Sequence, residues 1–112
     1  MGLDLTFLPF YGGNADFAHT ALDCVREADL FDAVDAIAKE KGRDVPDVFE
    51  SPVSRHKGKP THYGPTTKDA YGDPMKYVTA GDLRALKSKP NRAALAYLKA
   101  LPKAAKVAIY WH

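Results

Sequence analysis

The residues best suited to chemistry lie in one polar stretch, residues 55–82. Its 28 residues are too polar to form a core and too long to be a bare connector. The stretch contains cations, histidines, tyrosines and a threonine pair, punctuated by glycine and proline. Disordered segments are poor in aromatic residues. The composition therefore predicts an ordered loop that presents hydrogen-bonding side chains, as binding loops on rigid scaffolds do.

This mixture of side chains is typical of a site for a small phosphorylated or nucleotide-like ligand. Arginine and lysine bind phosphate, aromatic faces stack on a base, and threonine hydroxyls and histidines supply hydrogen bonds. We predict a pocket formed by the 55–82 loop with two further polar residues beneath it. The candidate ligand-binding residues are His19, Asp23, Arg55, Lys57, Lys59, His62, Tyr63, Thr66, Thr67, Tyr71 and Tyr77. The alternative is a solvated basic loop whose tyrosines anchor it to the core.

Other chemistries have weaker support in the sequence. Neither GxxxxGK[ST] nor GxGxxG is present, so the familiar nucleotide fingerprints are missing. The four histidines show no tightly spaced ligand pair, and we predict neither a metal site nor a cofactor. Cys24 is interpreted as a small buried apolar residue. An enzyme with His62 or His19 as general base remains a further alternative.

Composition and charge are those of one ordinary globular domain of 112 residues, 46% hydrophobic and 27% charged. A single cysteine favours a reducing setting, and no apolar run is long enough for a membrane span. Residues 1–51 carry 11 acids and 4 bases, a net charge of −7, whereas residues 52–112 carry 3 acids and 12 bases, a net charge of +9. Either the two segments neutralise each other or a basic surface attracts phosphates or an acidic protein. A pI near 8.6 disfavours duplex nucleic acid as the partner.

The spacing of apolar residues predicts the elements that must position the loop. Residues 3–7 and 16–24 alternate like two antiparallel strands, with Pro9 ending the first. Residues 26–41 carry one apolar stripe of a helix that ends at Gly42. Thr79 and Asp82 form a capping pair for a short helix over residues 80–88. Asn91 or Ser88 begins another helix, with three leucines as its buried seam, and residues 106–112 form a closing strand.

These elements predict an α+β domain, residues 1–112, with a small antiparallel or mixed sheet of about three strands packed against about three helices. One long ordered loop completes it. An exposed edge on so small a sheet favours a homodimer.

Several motifs resemble those of a family of small proteins encoded by bacteriophages and prophages. The motifs are His19-Thr20, Leu22-Asp23-Cys24, Thr61-His62-Tyr63-Gly64, Thr67, Asp69, Tyr71-Gly72, Tyr77-Val78, Ala80-Gly81-Asp82-Leu83 and Tyr110-Trp111-His112. The chain departs from the family pattern at Ala70, where a proline is expected. The resemblance implies a phage accessory protein in the cytoplasm of the bacterial host. Such proteins commonly block host immunity, either by sequestering a nucleotide signal or by covering a surface of a defence protein.

We therefore predict a non-enzymatic anti-defence protein that binds a small phosphorylated or nucleotide-like ligand. The alternative is a protein–protein inhibitor of a host defence complex, acting through its basic C-terminal half.

Overall fold

The computed structural model describes residues 4–10, 20–45 and 68–112, together with the backbone of residues 55–56 and 59–60. The elements in chain order are β1 (Leu5–Phe10), β2 (Leu22–Asp23), α1 (Ala28–Lys41), β3 (Arg43–Asp44), β4 (Arg55–His56), β5 (Lys59–Pro60), β6 (Lys76–Thr79), α2 (Arg92–Ala100) and β7 (Lys106–Trp111). Five of the seven strands form one sheet in the order β2-β1-β7-β6-β3, and every neighbouring pair is antiparallel.

The closing strand β7 occupies the centre of this sheet. All six of its residues pair with β1, from Leu5 opposite Trp111 to Phe10 opposite Lys106, and four pair with β6 on the other side. Both faces of β7 are buried: Val107 and Ile109 contribute to one apolar cluster and Ala108 to another. The strand predicted over residues 106–112 is therefore confirmed. It joins the β1 side of the sheet to the β6 side.

The first apolar cluster lies between the sheet and the two helices. Helix α1 contributes the stripe predicted from its spacing, with Leu30, Phe31, Val34 and Ala38 buried. Gly42 ends the helix in extended rather than left-handed backbone. A Cβ at this position would lie 2.2 Å from the carbonyl oxygen of Ala38, so glycine is required for close approach rather than for a positive φ.

The predicted sheet of about three strands and layer of about three helices are both wrong. The described residues form a five-stranded sheet and two α-helices. The two additional strands are β3 and β6. β3 and the regular part of β2 are two residues long, which is too short for an alternating pattern to be recognised, and β6 has only four residues, within the stretch predicted as a loop. β2 is antiparallel to β1 as predicted. Residues 16–19 of the predicted second strand lie outside the described residues.

The helix predicted over residues 80–88 is a single 3-10 turn, Gly81–Leu83, followed by further turns. The predicted capping pair is nevertheless formed: Thr79 N–H donates to Asp82 Oδ2 at 3.1 Å, and Asp82 N–H donates to Thr79 Oγ1 at 3.2 Å. Leu83 and Leu86 are both buried. This three-residue spacing matches a 3-10 turn, so burial is achieved without a longer helix.

Pro9 does not end β1, contrary to the sequence prediction. Asp4 and His112 exchange both backbone hydrogen bonds, so the N–H groups of residues 4, 6, 8 and 10 point towards β7. The nitrogen of Pro9 therefore faces the opposite side, where β2 pairs only with Thr6 and Phe7. Proline removes no bond from the ladder between β1 and β7.

Candidate functional site

Eight of the eleven predicted ligand-binding residues lie outside the described residues, apart from the backbone of two of them. They are His19, Arg55, Lys57, Lys59, His62, Tyr63, Thr66 and Thr67. The backbone of Arg55 and Lys59 belongs to β4 and β5, which pair antiparallel. The stretch predicted as one long loop therefore includes this two-stranded element, and its C-terminal part contains β6 and the start of the 3-10 turn. The structure places the other three residues, Asp23, Tyr71 and Tyr77, in three different surroundings.

Tyr77 lies in a cleft of about 600 Å³ at the β3 side of the sheet, which we call the basic cleft. The described residues that line it are Glu40, Lys41, Gly42, Arg43, Tyr77, Val78, Thr79, Asp82, Ala104 and Lys106. Strand register explains how distant residues meet here. Arg43 pairs with Tyr77 across β3 and β6, and Thr79 pairs with Lys106 across β6 and β7.

Tyr77 and Lys106 are in direct contact at this cleft. The Lys106 Nζ atom lies 5.5 Å from the centre of the Tyr77 ring and 6.0 Å from that of Phe10. The two rings themselves meet edge to face, with centroids 5.5 Å apart. A cation above an aromatic face at this distance is attracted by the ring's quadrupole. The contact holds the ammonium group beside the aromatic surface.

The charges of the basic cleft are partly neutralised. Lys41 Nζ lies 3.7 Å from Asp82 Oδ1. Burial would raise the pKa of Asp82, but hydrogen bonds from Thr79 and the charge of Lys41 lower it overall. Asp82 is therefore ionised at neutral pH and compensates Lys41. Arg43 and Lys106 form no ion pair with a described residue, so they are the cations able to receive an anionic ligand.

Tyr71 lies in a different cleft, of about 470 Å³, which we call the aromatic–acidic cleft. Its described lining consists of Phe31, Asp32, Asp35, Asp69, Tyr71, Asp73 and Trp111. Four aspartates line this cleft together with Tyr71, and only Asp35 is paired with a cation, Lys39, so the position is unfavourable for a phosphate.

A turn over residues 68–74 places Tyr71 in this cleft. Lys68 and Pro74 form an isolated bridge, and Gly72 adopts the left-handed backbone that the turn requires, with φ 83°. The Ala70 N–H donates to the Trp111 carbonyl at 3.0 Å. A proline at this position would have no N–H to make this bond, so Ala70 attaches the turn to β7.

Asp23 lies at the opposite end of the sheet, on β2. The buried Thr6 hydroxyl donates to Asp23 Oδ1 at 2.6 Å, and His112 Nε2 lies 2.9 Å from the same hydroxyl oxygen. The single hydroxyl hydrogen is given to Asp23, so His112 Nε2 carries a hydrogen and donates it to Thr6. The ring of His112 stacks on Tyr110 at a centroid distance of 5.2 Å.

Cys24 packs against the main apolar cluster. Burial and the adjacent negative charge of Asp23 raise the pKa of its thiol from the ordinary 9.0 to about 12. The thiol is protonated at neutral pH and is therefore a poor nucleophile. Cys24 therefore packs as the small apolar residue predicted, although it is partly rather than fully buried.

Sequence reasoning missed Arg43 and Lys106 as neighbours of Tyr77, because only strand register brings these distant residues together. It also missed Trp111 and Asp73 as residues that line the same cleft as Tyr71. Trp111 is distant in the chain, whereas Asp73 lies in the same turn as Tyr71 and could have been found from its spacing. Among residues 4–10, 20–45 and 68–112, no group of three or more His, Cys, Asp or Glu side chains is arranged to hold a metal ion. Within the same part of the chain, no helix has the length and apolar character that crossing a bilayer demands.

Comparisons of the chain with protein-family models, with curated proteins and with solved structures find no match.

Proposed function

We propose that the protein binds a small phosphorylated or nucleotide-like ligand at the basic cleft, without catalysing a reaction. The observation that carries the proposal is the contact of Lys106 with the half-buried Tyr77, beside Arg43, in a cleft of about 600 Å³. This volume lies within the range of small-molecule sites, roughly 300–1,000 Å³. An aromatic surface adjoining two unneutralised cations matches a ligand that carries both a flat ring and an anionic group.

The proposed site keeps only one of the three predicted ligand-binding residues whose side chains the structure describes. Asp23 and Tyr77 are separated by β1 and β7, three strand spacings or about 14 Å. Tyr71 shares its cleft with four aspartates. We therefore retain Tyr77 and replace Asp23 and Tyr71 by Arg43, Lys106 and the Thr79 hydroxyl. The cations and aromatic residues of the 55–67 stretch remain part of the proposal as additional ligand contacts.

The biological setting that we propose is a phage accessory protein in the host cytoplasm that sequesters a nucleotide signal of host defence. The support is the resemblance of motifs such as Thr61-His62-Tyr63-Gly64 and Ala80-Gly81-Asp82-Leu83 to small phage proteins. Sequestration requires affinity and no chemistry, which is consistent with a site built from cations, a ring and a hydroxyl.

The first experiment is native mass spectrometry of the purified protein, compared with its mass after denaturation. A retained adduct of a few hundred daltons identifies the ligand directly. Calorimetric titration with ADP and with the identified compound then tests the site. We expect the double variant Arg43→Gln/Lys106→Met to weaken binding more than about tenfold, since charge-assisted hydrogen bonds contribute about 1.5–3 kcal/mol each. Arg55→Ala should abolish binding with an almost unchanged melting temperature.

The control for the cleft is Lys99→Gln/Lys103→Met, which removes two exposed cations that do not line it. Equal weakening by both double variants would show a diffuse charge effect and contradict the proposed site. A protein that retains no adduct and binds neither ADP nor related nucleotides would contradict the proposed function.

A second candidate function, inhibition of a host defence protein by direct contact, is favoured by one observation. Residues 83–112 contain seven cations and no acid. Five of the cations are exposed and form no ion pair with a described residue: Lys87, Lys89, Arg92, Lys99 and Lys103. A surface of this kind attracts an acidic partner, and the attraction weakens with salt because the Debye length is about 8 Å at physiological ionic strength.

The two functions respond differently to the same variants. Removing Lys89 and Arg92 should slow association with an acidic host protein and leave nucleotide binding unchanged. The variant Arg43→Gln/Lys106→Met should weaken nucleotide binding and leave the rate of association with the acidic host protein unchanged.

A further inference from the structure

The aromatic–acidic cleft has an exposed aromatic floor that the proposed function does not use. Tyr71 remains 44% exposed, and Trp111 is half buried. Trp111 meets Phe31 edge to face, with ring centroids 5.7 Å apart. Three aromatic side chains from α1, β7 and the 68–74 turn therefore surround one cavity of about 470 Å³. An open cleft of this size with aromatic walls is suited to a ligand with a flat or cationic group.

The charged residues that line this cleft indicate that its ligand is positively charged. Asp32, Asp35, Asp69 and Asp73 line it, and no cation does among the described residues. An adjoining cleft shares Asp35, Asp69, Asp73 and Trp111 with this one and also contains Lys39 and Lys76. Lys39 pairs with Asp35 at 2.9 Å, and Lys76 pairs with Asp44. The other three carboxylates of the aromatic–acidic cleft form no ion pair with a described residue. The aromatic–acidic cleft consequently has a negative potential that complements a cation.

One carboxylate of the cleft is held in place before any ligand arrives. Asp69 Oδ1 accepts the N–H groups of Tyr71 and Asp73 at 2.9 and 3.1 Å. The turn that carries Asp69 is itself bonded to β7 through Ala70 and Trp111. A prearranged acceptor reduces the ordering cost of binding.

We propose that the aromatic–acidic cleft binds an arginine side chain on a segment of a partner protein. A metal ion is a poor match, because no three acidic side chains of the described residues are gathered closely enough to coordinate one. A guanidinium group stacks on aromatic faces and forms paired hydrogen bonds with carboxylates, whereas an ammonium group is more strongly hydrated and offers no plane. The combination of rings and carboxylates therefore selects arginine over lysine.

The partner is a different protein rather than a second copy of this chain. Two of the chain's own arginines are already engaged, because Arg26 pairs with Asp4 at 3.1 Å and Arg84 donates to the Leu101 carbonyl at 3.1 Å. These two side chains are therefore less available to the cleft of a second copy.

The cleft can be tested through its own fluorophore, because Trp111 is the protein's single tryptophan. The probe is the peptide acetyl-Gly-Arg-Gly-Arg-Gly-amide, compared with peptides in which citrulline or lysine replaces arginine. We expect a saturable change in Trp111 emission with the arginine peptide, weaker binding of the lysine peptide and none of the neutral citrulline peptide. In Asp32→Asn/Asp73→Asn the dissociation constant should rise by about tenfold.

The matched control is Asp29→Asn/Glu40→Gln, which removes the same charge from the exposed surface of α1 outside this cleft. It should bind the arginine peptide within about twofold of the original protein. Both double variants change exposed residues, and near-ultraviolet circular dichroism checks that each retains its fold.

Three results would overturn the proposal. The first is unchanged emission up to about 5 mM arginine peptide. The second is equal binding of the citrulline peptide, and the third is equal weakening by the control variant. If the protein is instead a dimer that Asp32→Asn/Asp73→Asn dissociates, the occupant is a second copy and the assignment to a partner protein is wrong.

Discussion

Asn91 holds both backbone polar groups of Val25, a residue 66 positions earlier in the chain. The amide Oδ1 accepts the Val25 N–H at 2.6 Å, and Nδ2 donates to the Val25 carbonyl at 2.9 Å and to Ser88 Oγ at 3.1 Å. Asn91 is 4% exposed. Through these bonds, the segment between β2 and α1 is held against the N-terminus of α2. We expect Asn91→Ala to lower the free energy of unfolding by about 2–4 kcal/mol, because it leaves buried polar groups without partners.

Urea denaturation of two further variants tests this assignment. Asn91→Asp retains the acceptor for Val25 N–H but places a buried carboxylate oxygen against the Val25 carbonyl, so its loss of stability at neutral pH should be at least as large as that of Asn91→Ala. Lys89→Ala, at an exposed neighbouring position, should change the free energy of unfolding by less than about 0.5 kcal/mol. A similar effect of all three substitutions would mean that the Asn91 side chain is not the connection.

Thr6 fixes the tautomer of His112 through the hydroxyl that it shares with Asp23. Nitrogen chemical shifts of the imidazole should therefore identify the neutral ring as the form with hydrogen on Nε2. Thr6→Val should abolish this preference and destabilise the protein by about 1–3 kcal/mol, since the 1%-exposed hydroxyl is lost. Thr6→Ser retains the hydroxyl and should retain the tautomer. An Nδ1-protonated ring in the unaltered protein would contradict the hydrogen-bond directions.

The raised pKa of Cys24 predicts slow alkylation. At pH 8 the folded protein should react with iodoacetamide far more slowly than the unfolded chain, because a thiol of pKa about 12 is almost entirely protonated. The pKa is higher in the folded state than its ordinary 9.0, so stability should fall as the pH rises from about 9 towards 12. Cys24→Ala should show a shallower fall. Alkylation at equal rates with and without urea would refute the burial of the thiol.

The lowered pKa of Asp82 predicts the opposite pH dependence. The Asp82 carboxylate stabilises the fold above its ordinary pKa of 3.8, and the contribution disappears as the pH falls through the lower folded value. The difference in urea midpoint between the unaltered protein and Asp82→Asn should therefore be largest near neutral pH and shrink below about pH 4. A difference that stays constant between pH 7 and pH 2.5 would show that the charge of Asp82 is not involved.

The elements predicted correctly are those whose signal lies in residues close together in the chain. The apolar stripe of α1 is set by residues within three turns of one another. The capping pair of Thr79 and Asp82 is three residues apart, and both of its hydrogen bonds form. The alternation of β7 is likewise visible because six consecutive residues share it.

The remaining features depend on which strands become neighbours. Strands β2 and β3 exist because β1 and β6 offer them free edges, and two residues contain no period of their own. Lys106 and Tyr77 are 29 positions apart and meet because β6 pairs with β7. The placement of Tyr71 among carboxylates depends on the bond from Ala70 to Trp111. Composition marked both tyrosines as candidates, but tertiary pairing decided their different surroundings.

The central position of β7 has a consequence for how the sheet assembles. β1 and β6 pair with β7 and not with each other, although both precede it in the chain. A nascent chain synthesised from its N-terminus therefore cannot join the two halves of the sheet until residues 106–111 have emerged from the ribosome. Until then Leu5, Phe7 and Val78 lack the central strand that lies between them in the sheet, and we expect such incomplete chains to be prone to aggregation.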